Sequence, residues 1–146
     1  MPQVTPFLWF DKQAEEAASL YVSIFPNSKI TETNPMTVSF ELDGRAFIGL
    51  NGGPHFQFNE AVSFMIHCKD QEEADHYWYK LTADGGQEGH CGWLKDKFGV
   101  SWQVTPRRLM ELLRDPDRAK ADRVMQAMLQ MNRIDIAELE RAAANS

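Results

Sequence analysis

Apolar residues recur along this chain with two different periods, and the order in which the periods change occurs twice. Residues 5–10 form a short apolar, aromatic run that reads as a strand. From 11 to 25 the residues Ala14, Ala17, Ala18, Tyr21, Val22 and Phe25 fall at helical spacing. Pro26-Asn27 stops that helix. Lys29–Thr33 can be a strand, and Thr37–Leu42 alternates Val38, Phe40 and Leu42 with polar neighbours, the mark of a half-buried strand. Asp43-Gly44 is a hairpin turn, so Arg45–Asn51 returns as the next strand. The pattern predicts β-α-β-β-β, followed by a linker from Gly52-Gly53-Pro54 to Glu60.

The second half repeats the plan, with a strand at 61–68, a helix at 71–81 ended by Ala83-Asp84-Gly85-Gly86, and short strands near 87–91, 93–96 and 100–105. The residues echo as well as the elements. Gln-Ala-Glu-Glu-Ala-Ala-Ser-Leu-Tyr from Gln13 is answered by Gln-Glu-Glu-Ala-Asp-His-Tyr-Trp from Gln71, and Gly44-Arg45-Ala46-Phe47-Ile48 by Gly99-Val100-Ser101-Trp102-Gln103. Two echoes at nearly the same offset point to an internal duplication. The expected fold is therefore α+β: one domain of two βαβββ modules, at about residues 4–52 and 61–105, with a helical extension at 106–146. In that extension Leu109, Leu112 and Leu113 form one apolar stripe and Val124, Met125, Met128 and Leu129 another. A last helix spans 134–144 with Asp135 as candidate N-cap. These helices would serve as a cover or a subunit contact. The methionine stripe is core or, less simply, a peptide groove.

Composition narrows the function more than the fold. A net charge of -6 argues against a duplex nucleic-acid partner, which wants clustered Lys and Arg. No apolar run approaches the length of a membrane span, and the start lacks a signal-peptide pattern, so a cytoplasmic protein is expected. Cys68 and Cys91 are too few for a disulfide framework and read as buried thiols.

Four segments carry a likeness to a known family. They are Thr5-Pro6-Phe7-Leu8-Trp9-Phe10; Leu20-Tyr21 with Phe25-Pro26-Asn27-Ser28; Asp96-Lys97-Phe98-Gly99-Val100-Ser101-Trp102-Gln103-Val104; and Ile134-Asp135-Ile136-Ala137-Glu138-Leu139. With them the chain resembles the vicinal oxygen chelate superfamily, the glyoxalase and bleomycin-resistance fold, and most closely its PhnB-like branch. The resemblance implies curved sheets around a cleft, a homodimer, and a divalent metal held by one residue from the first and one from the last strand of each module. Matched position by position, those four places hold Thr5, Ile48 (or Gly49 if the register slips by one), Ser63 and Gln103. A first shell needs carboxylate, imidazole or thiolate, so neither the usual metal nor any other cofactor is expected.

Strand alternation puts Phe7 and Trp9 on the face of Thr5, Met65 and His67 on that of Ser63, and Ser101 and Thr105 on that of Gln103. Leu8, Phe10, Phe64, Ile66, Cys68, Trp102 and Val104 would then pack under the helices. The expected ligand-binding cleft is Thr5, Phe7, Trp9, Ile48, Ser63, Met65, His67 and Gln103, mostly apolar with a few directional polar groups; the alternative is a filled core. His67 could act as acid or base near neutral pH, or be structural. Gln103 could hold a substrate amide or carboxylate, or fill its slot passively. His67-Cys68 with His90-Cys91 has the residue types of a zinc site, but neighbours on a strand point to opposite faces. Glu15-Glu16 and Glu72-Glu73 read as helix surface, and the basic residues around 107–123 as ion pairing with interleaved acids.

Members of this branch often carry a demethylubiquinone methyltransferase label. The usual glycine-rich strand-to-helix turn is missing, since Gly52-Gly53-Pro54 ends in proline and leads into a polar linker. Two readings follow: a metal-independent module binding a small organic molecule, or an enzyme acting on one, through a non-standard divalent site or His67 as general base.

Overall fold

The computed structural model describes residues 2–145. Between Phe58 and Asn59 the chain divides into two compact units. In the first, the order is β1 (Phe7–Phe10), α1 (Ala14–Ile24), β2 (Lys29–Thr33), β3 (Thr37–Leu42) and β4 (Arg45–Asn51), with the strands arranged β1-β4-β3-β2. In the second it is β5 (Ser63–Cys68), α2 (Gln71–Thr82), β6 (Gln87–Glu88), β7 (Trp93–Lys95) and β8 (Ser101–Pro106), arranged β5-β8-β7-β6. Each sheet thus pairs its first and last strands in parallel, and the repeated topology is that of a duplicated α+β fold. Three further helices close the second unit: α3 (Arg107–Leu113), α4 (Arg118–Leu129) and α5 (Ile136–Ala144).

The predicted faces follow the pleat except on β5 and β8, where Phe64 and Ile66, expected under the helix, are only half-buried and Ser101 and Thr105 on the opposite face are buried. Leu8, Phe10, Val38, Phe40, Leu42 and Phe47 are buried with Ala14, Ala17, Ala18 and Tyr21 of α1. Gly49 lets that helix come close, because a Cβ there would lie 3.3 Å from the Ala14 methyl. In the second unit Cys68, Leu94, Trp102 and Val104 are buried with Ala74, Tyr77, Trp78 and Leu81 of α2. Burial pushes the Cys68 thiol up to about 12, with Glu73 and Asp70 adding to the rise, so it stays a protonated core residue.

Several boundaries differ from the expectation for local reasons. The first helix begins at Ala14 rather than residue 11, where the Asn51 side chain accepts the Ala14 amide at 2.9 Å. β1 starts after Thr5 and Pro6, and β5 starts at Ser63 because Asn59 Oδ1 holds the Ala61 amide in a turn at 2.9 Å. The largest difference is β6, two residues instead of 87–91. Cys91 and Gly92 take positive φ, of 58° and 86°, and their amides donate to Met131 and Asn132 carbonyls at 2.8 Å. Residues 90–93 close the turn into β7, the Trp93 amide donating to the His90 carbonyl at 3.0 Å, while the tail takes the two amides inside that turn. In α4 the buried positions are Ala121 and Val124, whereas Met125 and Leu129 of the expected stripe are exposed.

The helices α3 to α5 share a core of Leu109, Leu112, Val124, Ile134, Leu139 and Ala143. Asp135 caps α5 as expected, accepting the Glu138 amide, although the helix starts at Ile136 rather than 134. Gln71 at the start of α2 fastens this layer. Its amide group donates to the Ile134 carbonyl at 3.0 Å and accepts the Ile136 amide at 2.8 Å, while Arg133 pairs with Asp75 at 2.8 Å. Lys120–Asp115 is an ion pair of the kind foreseen for the basic segment, but Arg108 pairs instead with Glu140 of α5, and Arg123 donates to the Ala142 and Ala143 carbonyls at the end of α5. Glu73, read as plain helix surface, accepts the Lys69 amide while its own amide donates to Asp70, a reciprocal cap of α2.

The turn between β7 and β8 is built on a buried carboxylate. Asp96 accepts the Phe98 and Val100 amides at 2.9 and 3.1 Å through one oxygen and the Trp102 indole N–H at 2.9 Å through the other. Gly99, with φ 90°, completes the reversal by donating to the Asp96 carbonyl. Module one makes the equivalent turn with Asp43 and Gly44 alone, both at positive φ as a two-residue hairpin requires.

Candidate functional site

The expected site residues lie on the helix-free face of their own sheets. In the first unit β1 and β4 pair Phe7 with Ile48 and Leu8 with Gly49. In the second, β5 and β8 pair Ser63 with Ser101, Met65 with Gln103 and His67 with Thr105. Since Phe7 and Met65 are equivalent in the repeat, Ile48 is the counterpart of Gln103, which removes the one-residue ambiguity with Gly49. Gly49 is buried on the helix side.

On the first sheet Phe7 is 56 % exposed, while Thr5, Trp9 and Ile48 are half-buried. Trp9 is fixed at two points, donating its indole N–H to the Gly53 carbonyl at 2.9 Å and packing edge-on against Phe56 at 4.8 Å. Gly52 lies beneath the indole, where a Cβ would come within 2.3 Å of the ring. The Gly52 and Gly53 amides donate to the Phe10 and Asp11 carbonyls. Pro54 has no amide hydrogen, so this turn keeps no donor with which to cradle a cofactor.

On the second sheet Met65 is 41 % exposed and His67 is exposed, whereas Ser63 and Gln103 are half-buried. The Gln103 amide donates to Ser63 Oγ at 2.9 Å. The two positions that would carry one module's pair of metal ligands therefore converge, but as an amide and a hydroxyl. With Thr5 and Ile48 at the other two, the set offers no anionic or imidazole donor and does not fit a divalent ion. Among the described residues no three His, Cys, Asp or Glu side chains come together.

His67 and Cys68 point to opposite faces, one exposed and one fully buried. His90-Cys91 is a turn rather than the expected strand, with the His90 Nδ1 3.0 Å from Asn132 Oδ1. Among the described residues no hydrogen bond or ion pair fixes the His67 ring, so no carboxylate orients it as a base. β7 brings further side chains to the same face: Trp93 pairs with Gln103 and Lys95 with Ser101. Counting back across the turn at residues 96–99 from Gln103 would have found both.

The pairing of first and last strands in each of two repeated βαβββ units is the arrangement of the vicinal oxygen chelate, or glyoxalase, superfamily. A family model described as 3-demethylubiquinone-9 3-methyltransferase matches residues 2–105. Among solved structures, a PhnB protein from Bacillus cereus is 32 % identical with a TM-score of 0.65, over 72 % of this chain and 99 % of that one. Protein PA1353 from Pseudomonas aeruginosa is 19 % identical with a TM-score of 0.60, over 73 % and 98 %. The fosfomycin resistance protein FosX from Listeria monocytogenes shares the fold at 15 % identity and a TM-score of 0.52, over 70 % of this chain and 89 % of that one. No curated protein matches the chain. The chain belongs to the 3-demethylubiquinone-9 3-methyltransferase family, in the PhnB-like branch of the superfamily. The match ends at 105, before α3, so the closing segment 134–139 of the sequence resemblance lies outside it.

Proposed function

We propose that this protein binds a small organic molecule on the helix-free face of a sheet, without a metal ion and without making or breaking a bond. The binding residues are Thr5, Phe7, Trp9, Ile48, Ser63, Met65, His67 and Gln103. One observation carries the reading: the four positions where the superfamily places metal ligands hold Thr5, Ile48, Ser63 and Gln103, and two of these are hydrogen-bonded to each other. Exposed Phe7 and Met65 supply apolar surface beside them, the combination usual in small-molecule sites. The methyltransferase description of the family gains no support from the Gly52-Gly53 turn, whose amides are spent on the β1 end. A homodimer and a cytoplasmic setting belong to the same proposal and rest on the superfamily resemblance and the composition. Among the described residues no helix is long and apolar enough to cross a membrane.

Metal analysis of untagged protein, followed by a thermal-shift screen with divalent ions and small aromatics, tests the reading. Expected are substoichiometric metal, no ion-dependent stabilisation, and stabilisation by organic ligands approaching about 2.7 kcal/mol at a hundredfold excess over the dissociation constant. Stoichiometric metal with ion-dependent stabilisation would overturn it.

A further inference from the structure

Ser101 is 2 % exposed, and its Oγ is a buried side-chain polar atom with no hydrogen-bond partner among the described residues. Burying a hydroxyl unpaired is unfavourable, so such a group marks a place where a partner is missing. Its setting says what kind of partner. Across the antiparallel ladder it faces Lys95, and across the parallel ladder Ser63, so the three side chains form one row on the helix-free face. Directly opposed residues have Cβ atoms about 5 Å apart, close enough for one small group to reach neighbouring side chains. The next row is Trp93, Gln103 and Met65, an apolar pair around an amide already bonded to Ser63.

From this juxtaposition we infer that the Lys95–Ser101–Ser63 row is a carboxylate subsite: it receives the carboxylate of an organic acid whose apolar body lies along Trp93 and Met65. An ammonium and two hydroxyls offer three donors to one oxyanion, and charge-assisted hydrogen bonds are the strong ones. The chain itself supplies a stand-in. Glu60 places its carboxylate on the Lys95 ammonium, and that contact holds the Glu60 carboxyl below its usual range. Glu60 is largely exposed, so a ligand carboxylate can displace it at little cost. The inference deepens the proposed binding function and rests on it.

Calorimetric titration of the full chain with phenylacetate and with its neutral amide, phenylacetamide, decides the matter. The acid is expected to bind about tenfold more tightly than the amide, the difference an ionised acceptor makes here. Ser101→Ala is expected to unfold at the same or a higher temperature than the parent, since it deletes an unpaired buried hydroxyl, yet to lose most of the preference for the acid. Lys95→Met should abolish the preference, and Glu60→Gln should strengthen acid binding several-fold by freeing the ammonium. Equal binding of acid and amide would overturn the carboxylate subsite and leave the binding function standing. A destabilised Ser101→Ala that kept its preference would show a structural hydroxyl and also overturn it. Failure of both probes to bind would count against both readings.

Discussion

Replacing Asp96 by alanine is expected to lower the stability of the protein by about 3–5 kcal/mol, among the largest single effects available in this chain. Asp96 is 3 % exposed and its carboxylate accepts the Phe98 and Val100 amides and the Trp102 indole N–H, so its removal strands all three donors in or near the interior. Asp96→Asn separates these contributions. Its oxygen can keep the two amide bonds, but its NH2 meets the indole N–H donor to donor, so a cost of roughly half is expected. Urea unfolding gives both values, and near-ultraviolet circular dichroism reports on the Trp102 environment. A loss below about 1 kcal/mol for the alanine variant would show that the turn does not depend on this acceptor.

Gly92→Ala is the second large effect, at about 2–4 kcal/mol. Two independent causes coincide there. The residue has φ 86°, and a Cβ would lie 2.8 Å from the Val104 carbonyl oxygen and 3.0 Å from Ile134 Cγ1. Gly85→Ala is the control, with φ 105° but nothing closer than the Lys97 Cβ at 4.0 Å. The control should cost only the backbone term of about 1–2 kcal/mol, and the excess at Gly92 measures the collision with β8 and the tail. Equal losses at the two positions would mean that the tail yields freely. Unfolding followed by fluorescence and by circular dichroism on the same samples provides the comparison.

Where the chain's bonds are local, its sequence was a good guide. β2, β3 and β4 begin and end where the sequence pattern puts them, and β3 and β4, antiparallel neighbours joined by the two residues Asp43-Gly44, have no freedom of register. Helix-facing residues were legible on β1, where Leu8 and Phe10 alternate with the more exposed Phe7 and Trp9; on β8 Trp102 and Val104 are buried as expected, but so are their neighbours Ser101 and Thr105. β6 was not legible. The strand stops early because residues 90–93 form the turn into β7, and the Cys91 and Gly92 amides inside it are taken by Met131 and Asn132, about forty residues later, partners that no local pattern announces.

The candidate site divides in the same way. The equivalence of Thr5 with Ser63 and of Ile48 with Gln103 was open to counting, and strand pairing settles the one ambiguous position. That Gln103 would spend its amide on Ser63, and that the Ser101 hydroxyl would be left without a partner, depend on side-chain geometry. Asp96 stood inside one of the four segments that carry the family likeness without showing its part. Its three bonds exist only once the turn has closed.

The bonds from Cys91 and Gly92 to residues 131 and 132 also bear on how the protein is made. On a ribosome the ladder of β1 to β4 needs nothing beyond Asn51, so it can form while the rest is being synthesised. The turn between β6 and β7 cannot complete its bonds until residues 131 and 132 have been made, because the carbonyls that receive those amides come about forty residues later. For that interval two turn amides lack their acceptors, and a chain stalled there would hold this turn more loosely than the finished protein does.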